Sequence, residues 1–320
     1  MRNAAANPRP RRVPARARGW RSLLFAAVLA VGAAEARGQD PAETPAPDSP
    51  ENTPQRVYQS PLDKRIELEQ MSQDNPFVLT SHKPTYLLPI AYNSRPNGEA
   101  VGEDGGDLDH IEIKFQFSMK FTVWRRLFGD NGHLSLAYTQ QAWWQAYNDA
   151  ISSPFRETNH EPEAMLTFYT DFDVLGMRNR MMVFGFVHQS NGRTEETSRS
   201  WNRLYANFIL ERRNLAISLR PWYRIPESAK DDDNPDIDDY LGYGDLGLSY
   251  DNERNVYSLL LRNNLRFGDN HGAVQLDWSF PLKDRIKGYV QVFSGYGESL
   301  IDYNRSVTRL GFGIMLNDWL

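Results

Sequence analysis

The chain has 320 residues with no cysteine, 8 Trp, 15 Tyr and 16 Phe, and a formal net charge of −5. Without thiols it is neither a disulfide scaffold nor a Cys-ligated metal or redox protein. No uninterrupted apolar run reaches the ~18 to 20 residues of a membrane-spanning helix, and a mean hydropathy of −0.60 taken at face value describes a soluble, acidic protein.

Arg2, Arg9, Arg11, Arg12, Arg16, Arg18 and Arg21 precede an apolar stretch, Ser22 to Ala34, that closes on the small-residue pattern Ala34-Glu35-Ala36. This reads as a secretory signal peptide over residues 1–36. Its removal takes away seven Arg and one Glu, leaving 29 basic and 40 acidic residues and a net charge of −11. An acidic exported chain is a poor nucleic-acid binder, so no nucleic-acid partner is expected. Residues 37–56 hold Pro41, Pro45, Pro47, Pro50 and Pro54 among acidic and hydroxyl residues, and read as a disordered tether. An N-terminal segment, 57–82, follows with a short helix over Leu62 to Met71, and the main domain runs from 83 to 320.

Within that domain the dominant period is two. Ile111, Ile113, Phe115, Phe117, Met119 and Phe121 share one face of a strand, against Glu112, Lys114, Gln116, Ser118 and Lys120 on the other. The pattern recurs over 273–282 and 256–267. About twelve such segments are predicted, near 83–93, 109–121, 133–145, 161–172, 179–190, 202–211, 215–225, 240–250, 255–267, 272–282, 286–294 and 306–317. A soluble sandwich or lipocalin-like barrel and a transmembrane antiparallel β-barrel both accommodate such alternation. Strand length, the asymmetry of short turns and longer links, the export signal and Trp124, Trp143, Trp144, Trp201, Trp222 and Trp278 near strand ends favour the all-β membrane barrel. Its charged inward residues, including Glu112, Lys114, Lys120 and Arg203, point to a filled interior rather than to a porin, which stays as the alternative beside a soluble exported esterase.

His188 and Ser190 are two apart and therefore share a face with Met182, Phe184 and Phe186, the lipid side. Asn202 on the next strand is in phase with Leu204, Ala206, Phe208 and Leu210. If the two strands pair, three polar groups meet on an apolar wall, where they are costly unless they bond one another or act. One reading is a His-activated Ser with Asn orienting the imidazole; the other is ordinary polar residues above the hydrocarbon. Gln140 likewise breaks an apolar face. It either meets its own copy across a two-fold axis or reaches water at the rim.

The segments His188-Gln-Ser-Asn-Gly-Arg193, Ser198-Arg-Ser-Trp-Asn-Arg-Leu-Tyr205, Ser152-Ser-Pro-Phe-Arg-Glu-Thr-Asn159, Asp233-Asn-Pro-Asp-Ile237 and Ser294-Gly-Tyr-Gly-Glu-Ser-Leu-Ile-Asp-Tyr-Asn304 resemble outer membrane phospholipase A, over roughly residues 75 to 320. The resemblance implies a twelve-stranded barrel of Gram-negative outer membranes that hydrolyses acyl esters of glycerophospholipids and lysophospholipids as a calcium-dependent homodimer. It implies Ser190 as nucleophile, His188 as base and then acid, Asn202 as orienter, and the Gly192 N–H as oxyanion donor. Ca2+ ligands would be the Ser198 side chain and Arg193 carbonyl of one subunit with the Ser152 carbonyl of the other, and Gln140 would lie in the dimer interface. Sequence alone would nominate the acidic run Asp231 to Asp239 as the calcium loop; beside the resemblance it reads as a solvated loop, with Glu195 and Glu196 close enough to the site to tune its field. One departure is the ending Asn317-Asp-Trp-Leu320, whose aromatic comes one position earlier than the usual terminal one.

Overall fold

Strict alternation cannot satisfy both faces of a flat sheet in water, but a closed sheet in lipid resolves it, with apolar side chains outward and polar ones inward. The computed structural model describes residues 59–73, 78–101 and 108–318; the expected signal, the tether and Trp319-Leu320 lie outside them. Twelve antiparallel strands form the wall: β1 (Thr85–Asn93), β2 (Ile111–Trp124), β3 (His133–Trp144), β4 (Phe155–Val174), β5 (Met177–Ser190), β6 (Ser200–Arg212), β7 (Leu215–Ile225), β8 (Gly244–Asp251), β9 (Val256–Asn263), β10 (Gly272–Lys283), β11 (Ile286–Tyr296) and β12 (Ser306–Asn317). Each pairs with its neighbours in sequence, and β12 pairs with β1, so the sheet closes. A two-residue strand, Thr80–Ser81, pairs with β2 inside this N-terminal region.

The sorting by parity is borne out along β2: Glu112, Lys114, Gln116 and Ser118 are buried, whereas Ile111, Phe117 and Phe121 are exposed on the outside. Inside, charges are paired. Arg156 bonds Glu112 at 3.1 Å and Asp302 at 2.7 Å, Arg309 bonds Glu112 at 2.5 Å and Glu298 at 2.9 Å, and Lys114 bonds Glu298 at 2.9 Å. Three cations thus face three carboxylates, which is the condition for burying any of them. A second set joins Lys83, Glu161, Glu163, Arg203 and the Tyr205 hydroxyl around an internal cavity of about 360 Å³.

The short turns lie at one end and the longer links at the other. At the short-turn end sits α1 (Pro61–Gln73). Ser60 and Asp63 form a capping box: the Ser60 hydroxyl accepts from the Asp63 N–H at 3.0 Å, and the Asp63 carboxylate accepts from the Ser60 N–H at 3.1 Å. Pro61 at the first helical position costs no hydrogen bond. Leu62 and Ile66 pack on Met181, Ile209 and Tyr169, Asp63 pairs with Arg180 at 2.5 Å, and Glu69 pairs with Lys120 at 2.8 Å.

Of the tryptophans near strand ends, Trp143, Trp201 and Trp222 share inward parity with Gln141, Arg203 and Arg220 and are buried inside the barrel. Trp201 and Trp222 meet edge to face at 6.2 Å, with the Arg203 guanidinium 3.9 Å from the Trp201 ring centre. The segment expected to reach 267 stops at Asn263, because Leu265 adopts φ +56° and its N–H is taken by the Asn263 side chain at 2.7 Å. The acidic run is more than a solvated loop: Ile237–Leu241 forms a short helix, α2, whose Ile237 and Leu241 are buried with Trp201, Trp222 and Leu300.

Candidate active site on the outer wall

His188, Ser190 and Asn202 lie at the long-link end of β5 and β6. The register pairs His188 with Asn202 and Ser190 with Ser200, so the three side chains emerge on the outer face beside Phe184, Phe186 and Leu204, all exposed. His188 Nδ1 lies 2.9 Å from Asn202 Oδ1. An amide oxygen only accepts, so Nδ1 carries the proton and Nε2 is left with its lone pair. That is the tautomer a general base needs.

The inner face holds this strand pair rigid. Trp201 donates to Gln189 Oε1 at 2.9 Å and Arg203 to the same oxygen at 3.0 Å, while the Tyr205 ring lies over Gly185, where a Cβ would come within 2.4 Å of it. The outer residues therefore stand on a wall whose opposite face is packed and bonded.

Beyond Ser190 the chain turns at Gly192 (φ +64°), a left-handed conformation that glycine adopts without strain. Buried Asn191 pins the link: its side chain accepts from the Arg193 and Arg199 N–H groups at 3.3 and 3.0 Å and donates to the Thr197 carbonyl at 2.9 Å. Among the described residues the Gly192 N–H has no acceptor. The Arg193 side chain turns inward to Glu157 at 3.0 Å. The Ser198 hydroxyl donates to Asp233 at 2.5 Å, and Asn234, fully buried, accepts from the Ser200 N–H at 2.9 Å. The acidic link is thus anchored to the site's rim. Ser152 (φ +64°) lies on the separate link 145–154. Among the described residues no cluster of three metal-ligating His, Asp or Glu side chains is found.

Gln140 shares a lateral row with the site: it pairs with His160, His160 with Ser190, and Ser190 with Ser200. His160 bonds the Tyr138 hydroxyl at 2.7 Å, and that hydroxyl lies 3.5 Å from Gln140 Oε1. Sequence reading missed His160, Asn191 and Glu227, whose carboxylate accepts from Asn202 Nδ2 at 2.8 Å. For Glu227 a signal existed, since it continues the outward parity of Tyr223 and Ile225.

A profile of the Phospholipase A1 family matches residues 62–316. The chain belongs to the phospholipase A1 family. Phospholipase A1 of Escherichia coli is 39% identical over 304 residues, covering 94% of this chain and 98% of that one. Phospholipase A1 of Klebsiella pneumoniae is 42% identical over 247 residues, 77% of this chain and 84% of its own. The solved E. coli outer membrane phospholipase A superposes with a TM-score of 0.72 at 42% identity, covering 77% of this chain and 95% of that one. The Salmonella typhi outer membrane phospholipase, solved as a dimer with bound calcium, gives 0.72 at 41%, covering 76% and 94%. The phospholipase A1 assignment carries with it the twelve-stranded outer-membrane barrel and ester hydrolysis, so the soluble reading falls away.

Proposed function

We propose that Ser190, His188 and Asn202 form the hydrolytic centre of this phospholipase and that its substrates are glycerophospholipids and lysophospholipids reached from the lipid side. The observation that supports this most directly is the 2.9 Å His188–Asn202 bond on the outer wall, in phase with Ser190. His188 Nε2 takes the Ser190 Oγ proton as the oxygen attacks the acyl carbonyl. The tetrahedral oxyanion faces the unpartnered Gly192 N–H. His188 then returns the proton to the departing glycerol oxygen, and water, deprotonated by His188, releases the fatty acid and frees Ser190. An asparagine-to-alanine active-site mutant solved for the E. coli relative agrees with an asparagine in the site.

The calcium of the Salmonella typhi dimer suggests Ca2+ here. Oxygen donors at the rim, the Ser198 hydroxyl beside the Asp233 carboxylate and the Arg193 carbonyl, suit a hard cation of modest affinity, with the Ser152 carbonyl supplied by a second subunit. Bound there, the cation would lend positive charge to oxyanion stabilisation. Gln140, two strand spacings or about 10 Å from Ser190, would sit in the homodimer contact, and an export signal over residues 1–36 belongs to the same reading. The test is acyl-ester hydrolysis by refolded protein with calcium and with chelator, together with covalent labelling by a sulfonyl fluoride. Label on Ser190 and calcium-dependent turnover are expected; label elsewhere would overturn the assignment.

A further inference from the structure

We propose that Glu227 is a positioning residue that selects the catalytic tautomer of His188 through Asn202. This rests on the hydrolytic centre proposed above. An asparagine amide is nearly symmetric in shape, so Asn202 can face His188 with either its oxygen or its NH2. With the NH2 forward, His188 Nδ1 must accept, the proton moves to Nε2, and the ring can no longer take the Ser190 proton. Nothing in Asn202 itself chooses between the two.

Glu227 chooses. Its carboxylate accepts from Asn202 Nδ2 at 2.8 Å while Asn202 Oδ1 meets His188 Nδ1 at 2.9 Å. Flipping the amide would set its oxygen against an ionised carboxylate, which has no hydrogen to offer. The chain delivers Glu227 to this point by simple continuation: Ile225, the last residue of β7, pairs with Asn202, and two residues further along Glu227 emerges on the same outer face, half-buried. Among the described residues Glu227 has no ion pair, whereas nearby Asp232 is held by Arg224 at 2.7 Å. The carboxylate is therefore committed to Asn202. It also places a negative charge one amide away from the imidazolium that forms during each half-reaction, polarising Asn202 Oδ1 toward it.

The test compares parent enzyme, Glu227→Ala, Glu227→Gln and Glu227→Asp, each refolded in detergent and confirmed as a closed barrel by its faster electrophoretic migration before boiling. Turnover of a fluorogenic acyl ester in micelles is expected to fall roughly tenfold to a hundredfold in kcat for Glu227→Ala, with KM within about twofold. Glu227→Gln, which retains an acceptor without the charge, should fall between, and Glu227→Asp should recover part of the loss. The nitrogen shifts of ¹⁵N-labelled His188 should report a single Nδ1–H tautomer in the parent and a mixture in Glu227→Ala. The discriminating variant is Asn202→Asp. It puts two carboxylates side by side, so Glu227→Gln should raise activity in that background although it lowers activity in the parent. Parental kcat and an unchanged tautomer in Glu227→Ala would overturn the inference and leave the hydrolytic centre intact. Loss of labelling at Ser190 in the parent would instead bring down the proposed function.

Discussion

The inner and outer faces of the same strands treat polar side chains in opposite ways. Inside, Glu112, Glu298 and Asp302 are matched by Lys114, Arg156 and Arg309, and their charges are neutralised by neighbours from distant strands. Outside, a few polar groups stand among Phe184, Phe186 and Leu204. They bond one another in a chain, Glu227 to Asn202 to His188, with Ser190 in phase two residues beyond His188. A network whose members all have partners stabilises one shape. A chain that leaves its last imidazole nitrogen open is what the proposed hydrolytic centre requires.

The sharpest way to separate these roles is one substitution on each face. Ser190→Ala should reduce turnover by on the order of 10⁵-fold or more while leaving the thermal transition of the barrel in place, read by initial rates and circular dichroism on the same sample. Arg156→Met should do the reverse. It strands Glu112 and Asp302 without their cation, at a cost of about 3–5 kcal/mol, so the transition should move down while kcat per folded molecule stays near the parental value. A parental melting curve in that variant would break the comparison. Gln140→Ala tests the outer face away from the chemistry: dimer affinity in detergent should weaken by roughly 1 kcal/mol, read by sedimentation equilibrium with calcium present, with the monomer's fold unchanged.

The smallest expected effect is at the helix. Burial pushes the Glu69 carboxyl up, but Lys120 and Arg65 together outweigh it and hold the group down to about 2. Depressed in the folded state, Glu69 contributes its full stabilisation above the ordinary carboxylate range, and loses it as pH falls from about 4.5 toward 2. Amide exchange of α1 should accelerate over that window before the strands respond.

Much of this was legible in the chain. Period-two sorting predicted twelve strands and put His188, Ser190 and Asn202 on the outside; ahead of them, the short helix expected over Leu62 to Met71 lies within one turn of Pro61–Gln73. The roles proposed for them rest on the resemblance, since a His and a Ser two apart do not by themselves specify chemistry. What was missed depended on links meeting across space. Asp233 reaches Ser198 and Asn234 reaches Ser200 only because the 226–243 link folds back over β6. Nearness to a strand end does not say which face a tryptophan takes; parity does: Trp143 and Trp144 are adjacent, yet one is buried inside and the other is partly open.

The contacts of α1 carry a consequence for assembly. The partners of α1 and its capping Ser60 are Lys120 on β2, Tyr169 on β4, Arg180 and Met181 on β5, and Ile209 and Glu211 on β6. A single short helix can touch all four only when that arc of sheet has curled to its final radius. Docking of the helix therefore works as a gauge of curvature, and the moment at which residues 59–73 become resistant to a protease pulse during refolding would mark when half the wall has taken its shape.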